Sequence, residues 1–454
     1  MILAIVIGYL IFVVALGIFL RGRIKGFEDF IVAGRNAGLF VVAASFVGSH
    51  FGGGMTVGGA ELGATNGLSA VWYGLGAGFS YLLLLTIVKR IYALKQITIA
   101  DVLESSYESK RIRGMYALLS FAGSIGIIAG QILAGGAIFS TFGVSPEVGG
   151  AITFLIIVVY CALSGLYGVM VTDAIQVIIG GFGVVLAAVL AIDKIGGIEK
   201  LAALPEQQLS FFPPDLATLV WLVVPTTLLG LISQPAYQRV HSSKDEKTAF
   251  RAPLIGAFVV MALAIFPVLI GMCARILWPD IEASLAVPML LQEVFPPVVA
   301  AIFIAAILAA VMSTADSVLL GGTANIVRDF YQQILRPDAG DKELLKVSTI
   351  ATVAIGVGAL SVTYLVPRII DLFVISYSIQ VCGGLIPVVG ALFWKGGTEQ
   401  GAWASFVVGI GYIVLSALDL IDLPYHFIVG LIPAFIIYVA VSVMTRRHHT
   451  ESAT

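Results

Sequence analysis

The feature that most constrains this chain is a succession of long apolar windows running almost from end to end. A helix needs about 20 apolar residues to cross about 30 Å of hydrocarbon. With 59% hydrophobic and only 11% charged residues, the composition is that of a membrane protein. We therefore predict an all-α polytopic membrane protein with about thirteen transmembrane helices. The windows lie at 2–20, 37–60, 67–93, 113–142, 146–165, 169–192, 216–236, 252–276, 296–322, 345–366, 369–394, 399–418 and 424–445.

The ends and loops of the chain suggest one transmembrane domain over residues 1–454. The first window runs for about 19 residues without a small-residue cleavage site, which favours a retained helix over a signal peptide. Cys161, Cys273 and Cys382 lie in separate apolar windows, so we expect no disulfide, no bound cofactor and no metal other than a coupling ion. No basic run with interleaved aromatic residues suggests a nucleic-acid partner.

Basic residues are distributed unevenly between the two sides that alternating windows define. One side receives 21 of the 25 Lys and Arg residues, and the positive-inside rule makes that side cytoplasmic. The N-terminus is then outside and the C-terminus inside a plasma membrane. The first side holds Arg21, Arg23, Lys25, Arg35, Lys89, Arg90, Lys95, Lys110, Arg111, Arg113, Arg239, Lys244, Lys247, Arg251, Arg328, Arg336, Lys342, Lys346, Lys395, Arg446 and Arg447, and the other side holds Lys194, Lys200, Arg275 and Arg368.

A polar cluster lies in the middle of the ninth window. Ser313, Asp316 and Ser317 share one helix face, and Thr314 stands beside them. A carboxylate at the centre of a membrane span costs roughly 2.5–3.5 kcal/mol, so it needs a cation or water. The oxygen ligands suit a small hard cation such as sodium. The alternative is that the hydroxyls bond to their own helix carbonyls while Asp316 lines a water-filled crevice.

The second window contains a glycine-rich stretch, Gly48-Ser49-His50-Phe51-Gly52-Gly53-Gly54. Glycine costs about 1 kcal/mol relative to alanine in a helix, so we predict a break there. Broken membrane helices line cavities, and their freed carbonyls can coordinate ions. The alternative is a stripe of small residues that lets a neighbouring helix approach.

Two further polar positions lie near span ends. Asp173 lies less than two helical turns inside the sixth window, where its carboxylate could reach the cytoplasmic surface by snorkelling. Gln234 precedes Pro235, which predicts a kink or an end in the seventh span.

Together with Phe27-Glu28-Asp29-Phe30-Ile31-Val32-Ala33-Gly34-Arg35, the glycine-rich break, Val171-Thr172-Asp173-Ala174-Ile175-Gln176 and Met312-Ser313-Thr314-Ala315-Asp316-Ser317 resemble the sodium:solute symporter family. The resemblance covers nearly the whole chain. It implies the five-plus-five inverted-repeat fold of the leucine transporter. The first repeat would span 37–192 and the second 216–394, with extra helices at 1–20 and 399–445.

The resemblance also implies two ion sites. The main sodium site would take backbone carbonyls from Gly48, Phe51 and Ala310 and hydroxyls from Ser313 and Thr314. A second cation site would use Asp173, Ser313, Asp316 and Ser317, with Asp316 where other members have a hydroxyl.

The motifs look closest to the choline-transporter branch, but two expected tryptophans are replaced by His50 and Ser233. Those rings would form the aromatic cage for a quaternary ammonium group. A histidine could instead donate a hydrogen bond to a carboxylate or carbonyl, which favours an anionic or zwitterionic solute. His50 could equally bond to the backbone at the helix break. We expect His50, Gly52 and Gln234 to face the solute.

The leading functional prediction is sodium-coupled symport of a small organic solute, such as an amino acid or a carboxylate, with a monomer sufficient for transport. One alternative is a proton-coupled carrier that uses Asp173 and Asp316 as a relay. Another is a membrane sensor with a vestigial carrier domain. An enzyme is not expected, because no nucleophile, base and orienting group recur together.

Overall fold

The computed structural model describes residues 2–20, 22, 24, 26–365, 369–417 and 426–451. Helices make up most of these ranges. Arg21, Arg23, Lys25 and Arg368, and the predicted span limits at 366, 418 and 424, lie outside the described residues.

In the first half of the chain, the described residues form eleven α-helices in order. They are α1 (Ile2–Leu20), α2 (Phe27–Val32), α3 (Leu39–His50), α4 (Gly59–Asn66), α5 (Val71–Leu84), α6 (Val88–Leu94), α7 (Ile99–Tyr107), α8 (Lys110–Ser140), α9 (Pro146–Lys194), α10 (Ile198–Ala202) and α11 (Glu206–Leu209). A short π-helical segment, Gly54–Gly58, leads into α4.

The second half begins with a bent pair and continues with longer helices. They are α12 (Leu216–Leu229), α13 (Gln234–Ser242), α14 (Glu246–Leu263), α15 (Ile265–Leu277), α16 (Ala286–Glu293), α17 (Pro297–Ala324), α18 (Asp341–Val362), α19 (Ile369–Phe393), α20 (Glu399–Ala417) and α21 (His426–Glu451). A π-helical segment, Asn325–Leu335, extends α17.

Long apolar helices make the protein a multi-pass membrane protein. Within the described ranges, eight helices are long and apolar enough to span a membrane, or up to nine if α12 and α13, bent by 40°, count as one. Each predicted window overlaps at least one helix. The number thirteen stays a prediction, because several windows correspond to short or broken helices.

The helix α17 lies at the centre of the fold. It packs against α9, α8 and α3, and nearly all its side chains from Ala300 onward are buried. Small residues make this packing possible: Gly183 on α9 faces Ala306 so closely that a Cβ there would collide with it. The polar cluster of α17 is therefore enclosed by protein rather than lipid.

Three helix breaks lie in the spans that carry predicted site residues. The helix α3 ends at His50, and helix resumes at Gly53, so the predicted break is confirmed. The helix α9 is interrupted at Gly165, whose φ of 55° suits glycine. The seventh span ends its first segment at Leu229, and Pro235 opens α13 where its missing N–H costs nothing. Two of these breaks contact α17: the Gly48 carbonyl before the first accepts the Thr314 hydroxyl, and Pro235 after the third lies against Gly321.

Candidate functional site

The predicted main sodium ligands meet where the break after α3 contacts α17. The Thr314 hydroxyl donates to the Gly48 carbonyl at 2.7 Å. A Cβ at Gly48 would collide with the Ser313 hydroxyl, and one at Gly52 with that of Thr314. Both positions therefore need glycine for the two elements to approach so closely. The structure brings together Gly48, Ser313 and Thr314.

The other two predicted main-site residues flank this contact. Phe51 is the C-cap residue that directly follows α3, and its ring is buried. Ala310 is also buried and lies one helical turn before Thr314 on α17. Sequence spacing missed Gln131 of α8, whose side-chain oxygen accepts the Gly53 backbone N–H at 2.8 Å and holds the break in place.

Asp173 is fully buried and does not reach a surface. Its carboxylate accepts hydrogen bonds from Ser45 at 2.5 Å and from Ser313. It also forms an ion pair with Arg239, 3.3 Å from the guanidinium Nη2. Snorkelling to the cytoplasmic side is therefore ruled out in this conformation.

Arg239 corrects the charge assignment made from the sequence. The positive-inside rule places Arg239 in a cytoplasmic loop, but its side chain is 0% exposed. The guanidinium donates to the Ser45 carbonyl and the Pro235 carbonyl, each at 3.0 Å, and to the Ser317 hydroxyl. The sequence carried a signal for it, because two carboxylates in apolar windows require a buried cation.

The predicted second cation site is assembled only in part. Asp173, Ser313 and Ser317 lie around or beside the Arg239 guanidinium, whereas Asp316 makes no ion pair among the described residues. Asp316 Oδ1 has the Ser317 hydroxyl at 3.4 Å, but that hydroxyl also donates to the Ser313 carbonyl at 2.7 Å. Asp316 Oδ2 is buried with no partner among the described residues.

A small cavity adjoins the sodium ligands and is the candidate solute pocket. Its volume of about 30 Å³ is room for roughly two waters. Thr314 lines it, and so do polar side chains from α3, α5, α8 and α19. The other polar residues of the lining are Ser49, His50, Tyr81, Ser120, Ser124, Ser233, Tyr377 and Gln380.

Of the three residues predicted to face the solute, His50 lines the pocket and Gly52 and Gln234 do not. The pocket is also lined by Ser233, which stands where the choline branch has a tryptophan. Gly52 does not line it but lies behind Thr314. The Gln234 amide accepts the Ile99 backbone N–H at 3.0 Å and donates to a loop carbonyl, so it braces α13 against the start of α7 and is turned away from the pocket.

Comparison with known proteins identifies the family of the chain. Residues 30–409 match the family described as the Sodium:solute symporter family. The chain is 27% identical to the sodium/pantothenate symporter of Escherichia coli over 93% of this chain and 92% of that protein. It is 28% identical to the high affinity choline transporter 1 of Homo sapiens, covering 90% of this chain and 75% of the relative.

The fold also has a solved counterpart. A Na⁺-coupled sialic acid symporter in a substrate-bound outward-open state superposes with a TM-score of 0.85 at 19% identity, covering 98% of this chain and 97% of the other. This likeness confirms the predicted fold class, the inverted-repeat fold of the leucine-transporter type. Since the family match covers most of its length, the chain belongs to the sodium:solute symporter family, and it is a membrane-embedded, sodium-coupled solute symporter.

Proposed function

We propose that the transported sodium ion binds between the break after α3 and α17. Its ligands are the carbonyls of Gly48, Phe51 and Ala310 and the hydroxyls of Ser313 and Thr314. All five are uncharged oxygen ligands of the kind that hard cations prefer. The hydrogen bond from the Thr314 hydroxyl to the Gly48 carbonyl supports this site, because two of the predicted ligands are in direct contact.

Coupling to the solute follows from one observation: Thr314 belongs both to the sodium ligands and to the pocket lining. Sodium would turn the Thr314 hydroxyl from the Gly48 carbonyl toward the ion and spread the two elements apart. The pocket, with room for about two waters, must widen to admit a small organic solute. Sodium binding would thus help to open the solute site, as alternating access requires.

A second cation remains part of the proposal, at Asp316 with Ser313, Ser317 and Asp173. The orphaned Oδ2 of Asp316 supports a cation there, because an isolated buried carboxylate is costly. Arg239 already neutralises Asp173, so the second cation would be held mainly by Asp316. The family match favours sodium coupling over the proton relay and the membrane sensor considered from the sequence.

We further propose a plasma-membrane location with the N-terminus outside and the C-terminus inside. The repeats would span 37–192 and 216–394, and one copy of the chain in the lipid bilayer would suffice for transport. Removing Arg239 from the loop residues leaves the strong charge asymmetry between the two sides. Inward sodium movement would then supply about 2.3 kcal/mol per charge for each 100 mV.

The main site is tested by Ser313→Ala and Thr314→Ala in proteoliposomes. Each change removes one hydroxyl ligand and little volume, so we expect the apparent sodium affinity to fall by about tenfold or more per variant. The measurement is the sodium dependence of solute uptake, or of thermal stability in detergent. Ser348→Ala is the matched control, because Ser348 is buried on α18 and its hydroxyl bonds to the Leu344 carbonyl. Normal sodium activation in the double variant would refute the main site.

A further inference from the structure

The break between α12 and α13 borders the solute pocket. Ser233, the N-cap residue of α13, lines the pocket together with Pro235 and Ala236 of the first helical turn. The N-terminus of a helix carries roughly half an elementary positive charge, because its first N–H groups have no partner within the helix. The start of α13 therefore brings a positive potential to the pocket.

The hydrogen-bond donors at this N-terminus are uncommitted. Ser233 is 8% exposed, and its hydroxyl makes no hydrogen bond among the residues that the structure describes. The backbone N–H of Ala236 likewise has no acceptor within the described ranges, and Pro235 has no N–H at all. Because a buried donor without a partner is costly, both groups favour a solute that brings an acceptor.

The acceptors of the same break are, by contrast, already in use. The Leu231 carbonyl accepts the Tyr237 hydroxyl at 3.1 Å, and the Ile232 carbonyl accepts the Tyr116 hydroxyl at 2.9 Å. The Ser233 carbonyl accepts the Tyr237 backbone N–H at 3.1 Å. With three successive carbonyls occupied and the donors free, the break favours a negatively charged group over an ammonium group.

The break after α3 differs in this respect. Gly53 lies where helix resumes, and its N–H is taken by the Gln131 side-chain oxygen at 2.8 Å. Neither residue lines the pocket as described, and the described lining contains no Asp or Glu side chain that would repel an anion. Of the two broken spans, the one that ends in α13 is therefore the one that offers free donors to the solute.

We propose that the solute carries a carboxylate and that this group binds at the N-terminus of α13. The Ser233 hydroxyl and the Ala236 N–H donate to its oxygens, and the positive end of the helix dipole complements its charge. This inference rests on the proposed sodium symport. It assigns the anionic group of the solute to one end of the pocket and makes Ser233 a residue that selects the solute.

Uptake by the full chain in proteoliposomes tests the solute class. The radiolabelled probes include two pairs that differ mainly in charge: L-lactate with L-lactamide, and N-acetylglycine with N-acetylglycinamide. L-alanine and L-proline add zwitterions, and choline and D-glucose represent solutes without a carboxylate. Each probe is measured with a sodium gradient and with potassium replacing sodium. We expect sodium-dependent uptake of a carboxylate and little uptake of the amides, choline or glucose.

Variants of Ser233 connect that uptake to the start of α13. Ser233→Ala removes the hydroxyl donor and should raise the KM for the carboxylate about tenfold or more, with kcat and sodium activation nearly unchanged. Ser233→Thr keeps a hydroxyl and should recover part of the loss. Ser233→Asp keeps a good helix N-cap but puts a negative charge where the carboxylate binds, so the chain should stay folded and lose uptake. Ser242→Ala is the matched control, because Ser242 is buried on the same helix and its hydroxyl bonds to the Arg239 carbonyl at 2.9 Å.

Two results would overturn the inference while leaving sodium symport intact. One is sodium-dependent uptake of choline, glucose or an amide that equals or exceeds uptake of every carboxylate. The other is carboxylate uptake whose KM is the same in Ser233→Ala and in Ser242→Ala. Thermal stabilisation by sodium alone, measured in detergent, separates the two proposals. No uptake of any probe in a chain that sodium stabilises overturns the solute class, and no uptake without that stabilisation counts against sodium symport as well.

Discussion

Two arginines are buried among the described residues, and their surroundings differ. Arg113, at the start of α8, contacts the carboxylates of Asp101, Glu104 and Asp329, and we call this group the peripheral arginine cluster. Arg239 contacts a single carboxylate, that of Asp173.

The remaining hydrogen bonds of Arg239 go to two backbone carbonyls and to Ser317. We call Arg239, Asp173, Ser45 and Ser317 the core arginine cluster. Its charges match one to one, and they leave Asp316 nearby without a cation.

The two clusters differ in role: the peripheral arginine cluster braces helices, whereas the region beside the core arginine cluster can bind a cation. In the peripheral cluster every carboxylate touches the Arg113 guanidinium, and two of them, Asp101 and Glu104, are partly exposed to water. That cluster joins α7, α8 and the extension of α17, and each of its carboxylates already contacts a guanidinium. Beside the core cluster, one fully buried carboxylate is unpaired, so an arriving cation gains the most there.

The largest expected effect is on the core cluster. Arg239→Met leaves Asp173 as a buried, unpaired charge and should lower the free energy of unfolding by about 3–5 kcal/mol. Thermal unfolding in detergent measures the loss. Sodium-dependent uptake should be abolished, because the guanidinium also links α13 to α17.

The double variant Arg239→Met with Asp173→Asn is the internal control for this change. Removing both charges should recover part of the stability, which a double-mutant cycle would report as a coupling between the two residues. Sodium activation should stay impaired, because Asp173 also accepts the Ser313 hydrogen bond. Purely additive losses of stability would show that the pair is not coupled.

A smaller effect, on sodium affinity in one region and on stability in the other, distinguishes the unpaired carboxylate from a paired one. Asp316→Asn removes a charge that no guanidinium contacts, so stability without sodium should not fall, while the apparent sodium affinity should drop. Asp329→Asn removes a partner of Arg113 and of the Thr98 hydroxyl, which lies at 2.7 Å. It should lower stability by about 1–3 kcal/mol and leave the sodium affinity unchanged. The same response in both variants would erase the distinction.

Much of the fold could be predicted because hydropathy and glycine content determine helices and helix breaks from neighbouring residues in the sequence. Apolar windows follow from the cost of exposing polar groups to lipid, and each overlaps a helix. The break at Gly52 follows from glycine's low helix propensity. The pairing of Ser313 and Thr314 with the break came from the family resemblance and was then found as a direct contact.

The parts that sequence reasoning missed depend on contacts distant in the chain. Arg239 follows a proline near a span end, which is typical of a loop, yet α13 carries it into the core beside Asp173, 66 positions earlier. The contact of His50 Nδ1 with the Tyr81 hydroxyl, at 2.6 Å, joins α3 to α5 across 31 positions of the chain. Periodicity along one helix contains no information on either pairing.

The smallest effect is expected at the edge of the peripheral cluster. Arg328 lies 3.9 Å from the Asp101 carboxylate and is 25% exposed, and its guanidinium also donates to Gln332. Because water screens such a distant pair, Arg328→Gln should change the free energy of unfolding by less than about 1 kcal/mol. Arg113→Gln is the matched comparison and should cost more, since Arg113 is 4% exposed and contacts three carboxylates directly. Equal losses in the two variants would mean that Arg328 shares the bracing and that burial does not decide how much an arginine contributes to the peripheral arginine cluster.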